Sequence, residues 1–173
     1  MGSKTIIVVR HAKSEWGTGE PDFDRPLARR GFRDAYALGA ILAPYCIDLV
    51  WCSPARRTRE TWEQACAGGA HGDQVDVRRS FYGMWSESLI SEMAALDESL
   101  AVLAIVNHQP TVGDLVYTLA QPSSLAQQAA EFFPTAAVAI LTHAGDWGTI
   151  GEHTCTLEKF TRARAAAQSG ENR

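Results

Sequence analysis

Two histidines and three sets of polar residues carry the chemistry this chain can offer. Arg10-His11 follows the apolar run at residues 5–9, Arg56-Arg57 follows Ser53-Pro54-Ala55, and Asn107-His108 follows the apolar run at residues 100–106. A guanidinium stays charged and presents a planar fork to phosphate oxygens. An imidazole held among such cations has its protonated form disfavoured and keeps a nitrogen lone pair near neutral pH. That nitrogen can attack phosphorus and form a covalent phosphohistidine, while a second histidine donates to the transferring phosphoryl group. A metal ion is the rival ligand, because histidine binds metals readily. Arginines repel a cation, however, and no carboxylate or thiolate stands close in sequence to either histidine. Each piece also has an ordinary reading: a loop dipeptide, a satisfied histidine at a strand end, a solvated helix face. Their joint position after three separate strands favours an anion site, with phosphate as the preferred ligand.

The elements that must position these residues are legible as alternating patterns. Residues 5–9 have the length and β-branching of a buried strand. A polar, proline-containing loop at 17–26 leads to a helix at 28–42, stopped by Pro44. Residues 47–52 read as a second strand. Ser53 is then expected as an N-cap with Pro54 at the first helical position, opening a helix to about residue 67. A loop at 68–73, a short strand at 75–77 and an amphipathic helix at 86–96 follow. A strand at 100–106, a turn at 107–110, a helix at 111–120 and a strand at 135–141 complete the regular part. Residues 147–150 are expected as an edge strand, and residues 162–173 as a fraying end. Alternating strands and helices imply an α/β fold of three layers, α/β/α, around a mostly parallel sheet. Parallel strands would bring Arg10-His11, residues 53–57 and Asn107-His108 to one sheet edge, where ligands bind in such folds. Two of these groups would also lie at helix N-termini, which favour anions.

The gross properties set limits. The 173 residues fit one domain, 1–173, with a core at about 4–160. A net charge of −4 argues against a general nucleic-acid binder and gives the local pairs Arg29-Arg30 and Arg56-Arg57 more weight than the total. Cys46, Cys52, Cys66 and Cys155 lack zinc-type spacing and are expected as reduced, mostly buried thiols of a cytoplasmic protein. No apolar run approaches the roughly 18 residues of a membrane span.

Longer motifs add a resemblance. Val9-Arg10-His11-Ala12-Lys13-Ser14 resembles the Arg-His signature of the histidine phosphatase (phosphoglycerate mutase-like) superfamily. The likeness is to its short bacterial, SixA-like phosphohistidine phosphatase branch in particular. Asp22-Phe23-Asp24-Arg25-Pro26-Leu27 with Arg30-Gly31, the stretch from Ser53 to Thr61, Asn107-His108-Gln109-Pro110, and Phe133-Pro134-Thr135-Ala136-Ala137 are similar to further motifs of that branch, in the same order. The resemblance implies a phosphoglycerate mutase-like fold and a metal- and cofactor-independent phosphatase. It implies His11 as the phosphorylated nucleophile, Arg10 and Arg57 as phosphate clamps and His108 as the second phosphate-contacting histidine. Arg25 would be a further phosphate contact and Asp22 its orienting neighbour. Lys13 and Ser14 share the nucleophile's loop, as ligand contacts or simply as loop structure. Three positions depart from the pattern: Ala12 and Asn107 stand where the family has glycine, and Thr58 where it has alanine. Ala12 fits a negative φ, and Asn107 tolerates a left-handed one.

The leaving group bears on the substrate. An alkoxide leaves poorly without a general acid, and no carboxyl matches the acid of larger relatives confidently; Glu87, Glu92 and Asp22 are the candidates. Imidazole leaves more easily, since its conjugate acid has a pKa of about 6.5. The expected substrate is therefore a phosphohistidine-containing protein. The rivals are a phosphatase of small phosphomonoesters or anhydrides and a phosphate-dependent scaffold without turnover. Trp16 and Trp85 fall near the site in sequence, as part of a protein-binding surface or as scattered aromatics.

Overall fold

Alternate side chains of the first strand enter two separate cores, which explains its unbroken apolar run. A computed structural model describes residues 2–166. In β1 (Lys4–Arg10), Ile6 and Val8 point to one face, and Ile7 and Val9 to the other. The first core lies under α3 (Ser86–Met93), α4 (Thr111–Leu119) and α5 (Ser124–Glu131), through Leu89, Met93, Leu115 and Ala129. The second lies under α1 (Arg29–Leu42) and α2 (Arg56–Ala67), through Ala35, Leu38, Trp62 and Ala65. The layers are thus helix, sheet, helix, as the alternation implies.

The remaining strands are β2 (Ile47–Cys52), β3 (Gly72–Val77), β4 (Val102–Asn107), β5 (Ala137–His143) and β6 (Cys155–Arg162). They form one sheet in the order β3-β2-β4-β1-β5-β6. β3, β2, β4 and β1 run parallel, while β5 is antiparallel to both β1 and β6. The reversal at β5 matters for the site. It brings the start of β5, and the end of β6, to the same sheet edge as the end of β1.

Several local expectations shift. Ser53 and Pro54 do not cap α2; Ala55 is the N-cap, and Ser53 is freed for another use. Residues 147–149 form a 3-10 turn, not an edge strand, because Trp147 is fully buried and its indole donates to the Leu100 carbonyl (2.8 Å). The edge strand is β6, whose alternation of Cys155, Leu157 and exposed polar residues is too short in apolar content to stand out. The helix α5 is an addition, capped by the Ser123 hydroxyl accepting from the Ala126 amide. Arg162 does not fray: it pairs with Ala137, and Ala163 after it is buried. The rest of the expected fraying end, residues 167–173, lies outside the described residues. Cys52 and Cys155 are buried, but Cys46 and Cys66 are exposed, so the thiols divide evenly. No helix among the described residues is long and apolar enough to cross a membrane.

Close packing at two glycines holds the helices where the loops need them. A Cβ at Gly31 would strike the Lys13 carbonyl, and one at Gly39 would strike the Ala65 carbonyl and Gly68 across the α1–α2 contact. Neither backbone neighbour can yield without moving its element. Gly39→Ala is expected to cost about 1–3 kcal/mol of stability by overpacking, read as a lowered denaturant midpoint. Gly31→Ala is expected to cost a similar amount and, in addition, to impair phosphate binding, because the displaced carbonyl belongs to the loop after His11.

Candidate active site

Three neighbouring strands end at the same height. Arg10 pairs with Asn107 and Cys52 with Val106, so the residues that follow come out side by side. The His11 amide donates to the Asn107 carbonyl (3.1 Å), and the Ser53 amide to the Val106 carbonyl (3.0 Å). The rings of His11 and His108 lie 5.2 Å apart between centroids. Residues more than 90 positions apart in sequence thus meet through main-chain register.

The protonation state of His11 follows from its contacts. Its Nδ1 lies 2.7 Å from the Ala12 carbonyl oxygen, which can only accept. In the neutral ring Nδ1 therefore carries the hydrogen and Nε2 the lone pair. Burial, chiefly, pushes the His11 pKa down to about 3, with smaller contributions from His108, Arg57 and Arg10. Loss of water, which penalises the charged ring, thus outweighs the arginines as the cause. Arg57 Nε donates to that same His11 Nε2 at 3.4 Å. The lone-pair nitrogen of His11 and the Arg57 guanidinium are therefore adjacent.

His108 is likewise held neutral, its pKa lowered to about 3 by burial first and then by Arg57. Its Nε2 meets the Ser53 hydroxyl at 2.7 Å. Its Nδ1 is buried with no hydrogen-bond partner, and so is Nε of Arg10. A buried polar atom without a partner is costly, and such atoms mark ligand or strain sites. Arg10 is fixed through its other end, donating from Nη1 to the Phe133 carbonyl (2.9 Å) just before β5.

Behind the histidines, Asp22 joins two arginines and a tyrosine. Its carboxylate accepts from Arg25 Nε and Nη2 (3.1 Å each), from Arg57 Nη2 (3.1 Å) and from the Tyr82 hydroxyl (2.7 Å). The Tyr82 bond, foremost, and the two arginines hold the Asp22 pKa down at about 2. Arg25 is buried, donates to the Ser14 hydroxyl (2.7 Å) and lies 3.8 Å from the Trp16 ring. Ser14 therefore anchors Arg25. Lys13 contributes its carbonyl to the Ala28 amide and makes no side-chain hydrogen bond among the described residues. Arg56 points away, paired with Glu60 at 2.7 Å.

The family departures have physical explanations. Among non-glycine described residues only Ala136 and His153 have positive φ, so Ala12 and Asn107 need no left-handed tolerance. Asn107 is used for its side chain: Nδ2 donates to the Phe81 carbonyl (3.1 Å), and Oδ1 accepts from the His108 amide (2.8 Å). Ala136, at φ 59°, occupies the third position of the Pro-Thr-Ala motif in left-handed backbone, a conformation uncommon for residues other than glycine. Its amide bridges the Arg10 and His11 carbonyls. The three acid candidates fare differently. Glu92 is engaged by Arg78 (2.7 Å), Glu87 is exposed and accepts only from Ser86, and neither bonds any residue named above. Asp22 is in place but held ionised.

Sequence reasoning missed Tyr82, Ser53 as a histidine partner, and Thr61. The Thr61 hydroxyl accepts from the Ala12 amide (3.0 Å) and donates to the Arg57 carbonyl (2.6 Å), tying the two loops together. The Ser53 and Thr61 positions belong to a matched motif, so their presence was visible, though not their bonds. Tyr82 had no signal at all.

A buried neutral imidazole with a lone pair, a second imidazole and neighbouring arginines make an anion-binding site on an α/β fold, suited to phosphoryl groups. Sequence and structure comparisons identify the family. A family model described as "Histidine phosphatase superfamily (branch 1)" matches residues 6–145. The chain belongs to the histidine phosphatase superfamily, and its solved neighbours place it in the SixA-like branch. An uncharacterised protein of Mycobacterium tuberculosis (Rv1276c) is 34% identical over 160 residues, covering 88% of this chain and 98% of that protein. The structure of a putative phosphohistidine phosphatase SixA from Nakamurella multipartitia superposes with a TM-score of 0.82 at 26% identity, covering 94% of this chain and 98% of the other. Phosphoserine phosphatase 1 of Hydrogenobacter thermophilus is 34% identical over a shorter stretch of 93 residues, 51% of this chain and 44% of that protein.

Two outcomes test this geometry. Both histidines have folded pKa values near 3, below the roughly 6.5 of an unfolded chain. The unfolded chain therefore takes up protons first, and stability falls as pH drops through about 6.5 toward 3. Denaturation across that range is expected to show a shallower slope for His11→Asn, by about one proton. Ser53→Ala removes the one partner of His108 Nε2 among the described residues and is expected to weaken tungstate binding and turnover by roughly tenfold, the worth of one hydrogen bond. Unchanged tungstate affinity in that variant would show the bond to be incidental.

Proposed function

We propose that this protein removes phosphate from phosphohistidine on other proteins, through a covalent intermediate on His11. The observation that supports this best is a lone-pair imidazole nitrogen beside Arg57 in a site whose one carboxylate, Asp22, is held ionised. Such a site suits a leaving group that needs little acid assistance.

In this reading His11 Nε2 attacks the phosphorus of the substrate. The N–P bond to the substrate imidazole breaks, and its electron pair stays on that ring, whose other nitrogen carries the proton that makes it neutral. One N–P bond is exchanged for another, so the step is close to isoenergetic. Arg10, Arg57 and Arg25 take the charge of the transferring phosphoryl, and His108 donates from Nδ1 when Ser53 donates to its Nε2. Asp22 orients Arg25 and Arg57, which it bonds, and Tyr82 donates to Asp22. Water then attacks phosphorus, releasing inorganic phosphate and regenerating neutral His11. Lys13 has no part in this scheme, and Ser14 acts through Arg25.

The partial likeness to a phosphoserine phosphatase favours a second reading, hydrolysis of small phosphomonoesters. That reaction asks for a protonated acid near the leaving oxygen, and Asp22, Glu87 and Glu92 do not meet the need. A scaffold without turnover sits poorly with a nucleophile kept neutral and oriented.

Rapid quenching with a labelled phosphohistidine protein is expected to trap an acid-labile phosphoenzyme, absent in His11→Ala. Turnover of phosphoserine at a rate above that of the phosphohistidine protein would favour the second reading. Full activity in His11→Ala would remove the covalent mechanism altogether.

A further inference from the structure

The chain carries a net charge of −4, yet four arginines gather in one groove outside the catalytic residues. Arg30 and Arg33, one turn apart on α1, face Arg162 and Arg164, two residues apart at the end of β6. Together with Asp34, Ala165 and Ala166 they line a cavity of about 260 Å³. Asp34 is the single carboxylate among these lining residues. It is buried at the base, where it accepts from the Ala165 amide (3.1 Å) and lies 3.7 Å from Arg30 Nε. Arg162 spends Nε on the Thr135 carbonyl and Nη2 on the Thr135 hydroxyl. Arg33 and Arg164 are exposed and make no side-chain hydrogen bond or ion pair among the described residues. Burial, and then Arg164 and Arg30, lower the Arg162 pKa, as expected of cations that are incompletely neutralised.

The groove opens at the same end of the sheet as the catalytic residues. Ala136 joins them: its amide donates to the Arg10 and His11 carbonyls, and its carbonyl accepts from Ala163, which lies between Arg162 and Arg164. On the opposite wall, Gly31 packs against the Lys13 carbonyl, next to Arg30 and two residues from His11. Arg162 is also close enough to Arg10 to be the second-largest influence on its pKa, after burial.

Guanidinium forks in two facing rows suit carboxylates approaching from above. A phosphate dianion seated deep would instead meet the Asp34 carboxylate. We propose that this groove docks acidic side chains of the phosphoprotein substrate, beside the phosphohistidine being cleaved. The proposal rests on the phosphohistidine-protein reading and extends it to the chemistry of the substrate's surface. Arginines at the rim of an interface act on encounter and on its salt dependence. Within a Debye length of about 8 Å at physiological salt, the local cluster outweighs the chain's net negative charge.

The test compares the wild type with the double variant Arg33→Gln/Arg164→Gln, which leaves every catalytic contact in place. Three readouts are used: a phosphohistidine phosphotransfer protein with acidic residues flanking its histidine, phosphoramidate as a small substrate, and binding of a fluorescent glutamate-rich peptide. The variant is expected to lose roughly tenfold in kcat/KM on the protein, through KM, and to show a flatter salt dependence. It should keep its phosphoramidate turnover and bind the peptide more weakly. Equal peptide affinity and equal kcat/KM on the protein would overturn the groove. Displacement of the peptide by inorganic phosphate, beyond a chloride control of matched ionic strength, would assign the groove to phosphate and overturn the carboxylate proposal. A wild type inactive on the phosphoprotein would refute the substrate reading, while peptide binding would still decide whether the groove takes carboxylates.

Discussion

The parallel register of β2, β4 and β1 is the constraint on which the site depends. Main-chain bonds from Ser53 to Val106 and from His11 to Asn107 set three strand ends side by side. No side-chain contact is needed to bring His11 and His108 together; the ladder does it, and both faces of that ladder are buried. Burial makes the register expensive to change, because a one-residue slip would exchange the sets of side chains serving the two cores. The geometry of the reacting groups is thus secured by the same apolar surface that stabilises the fold.

Burial also sets the chemistry. Removing water from His11 does more to keep it neutral than the nearby arginines do. The Ala12 carbonyl then selects the tautomer, which turns a buried neutral imidazole into one with its lone pair at Nε2. Positive charge accumulates around this nitrogen, and Asp22 is the group that balances it. With Tyr82 donating to the same carboxylate, Asp22 stays ionised and cannot serve as a proton source near neutral pH. A single residue therefore holds Arg25 and Arg57 together and keeps its own carboxyl ionised between them.

Much of the fold was legible because period and length are local properties. The buried strands at residues 5–9 and 47–52 stand out since both faces are covered, leaving continuous apolar runs. Trp147 misled for a related reason: an aromatic flanked by turn residues looks like an edge, while its burial depends on contacts with Leu100 and Lys4 far away in sequence. β6 and α5 were hidden because their apolar faces are narrow, made of Cys155 and Leu157 in the strand and of alanines in the helix. Ser53 looked like a cap because serine before proline commonly is one; its hydroxyl instead meets a histidine 55 residues away.

The sequence alone determined the residue types at the strand ends and their order, and so the kind of site: histidines among arginines, in the histidine phosphatase superfamily. The resemblance also pointed to Arg57 rather than Arg56, and the structure turns Arg57 toward His11 while Arg56 pairs with Glu60. Only the tertiary structure decided how neutral the histidines are, which nitrogen holds the lone pair, that Tyr82 and Asp22 share a proton-donating contact, and that Arg30 and Arg33 stand across a groove from Arg162 and Arg164. These properties arise from exclusion of water and from contacts between distant segments, and neither is encoded in the local pattern of the chain.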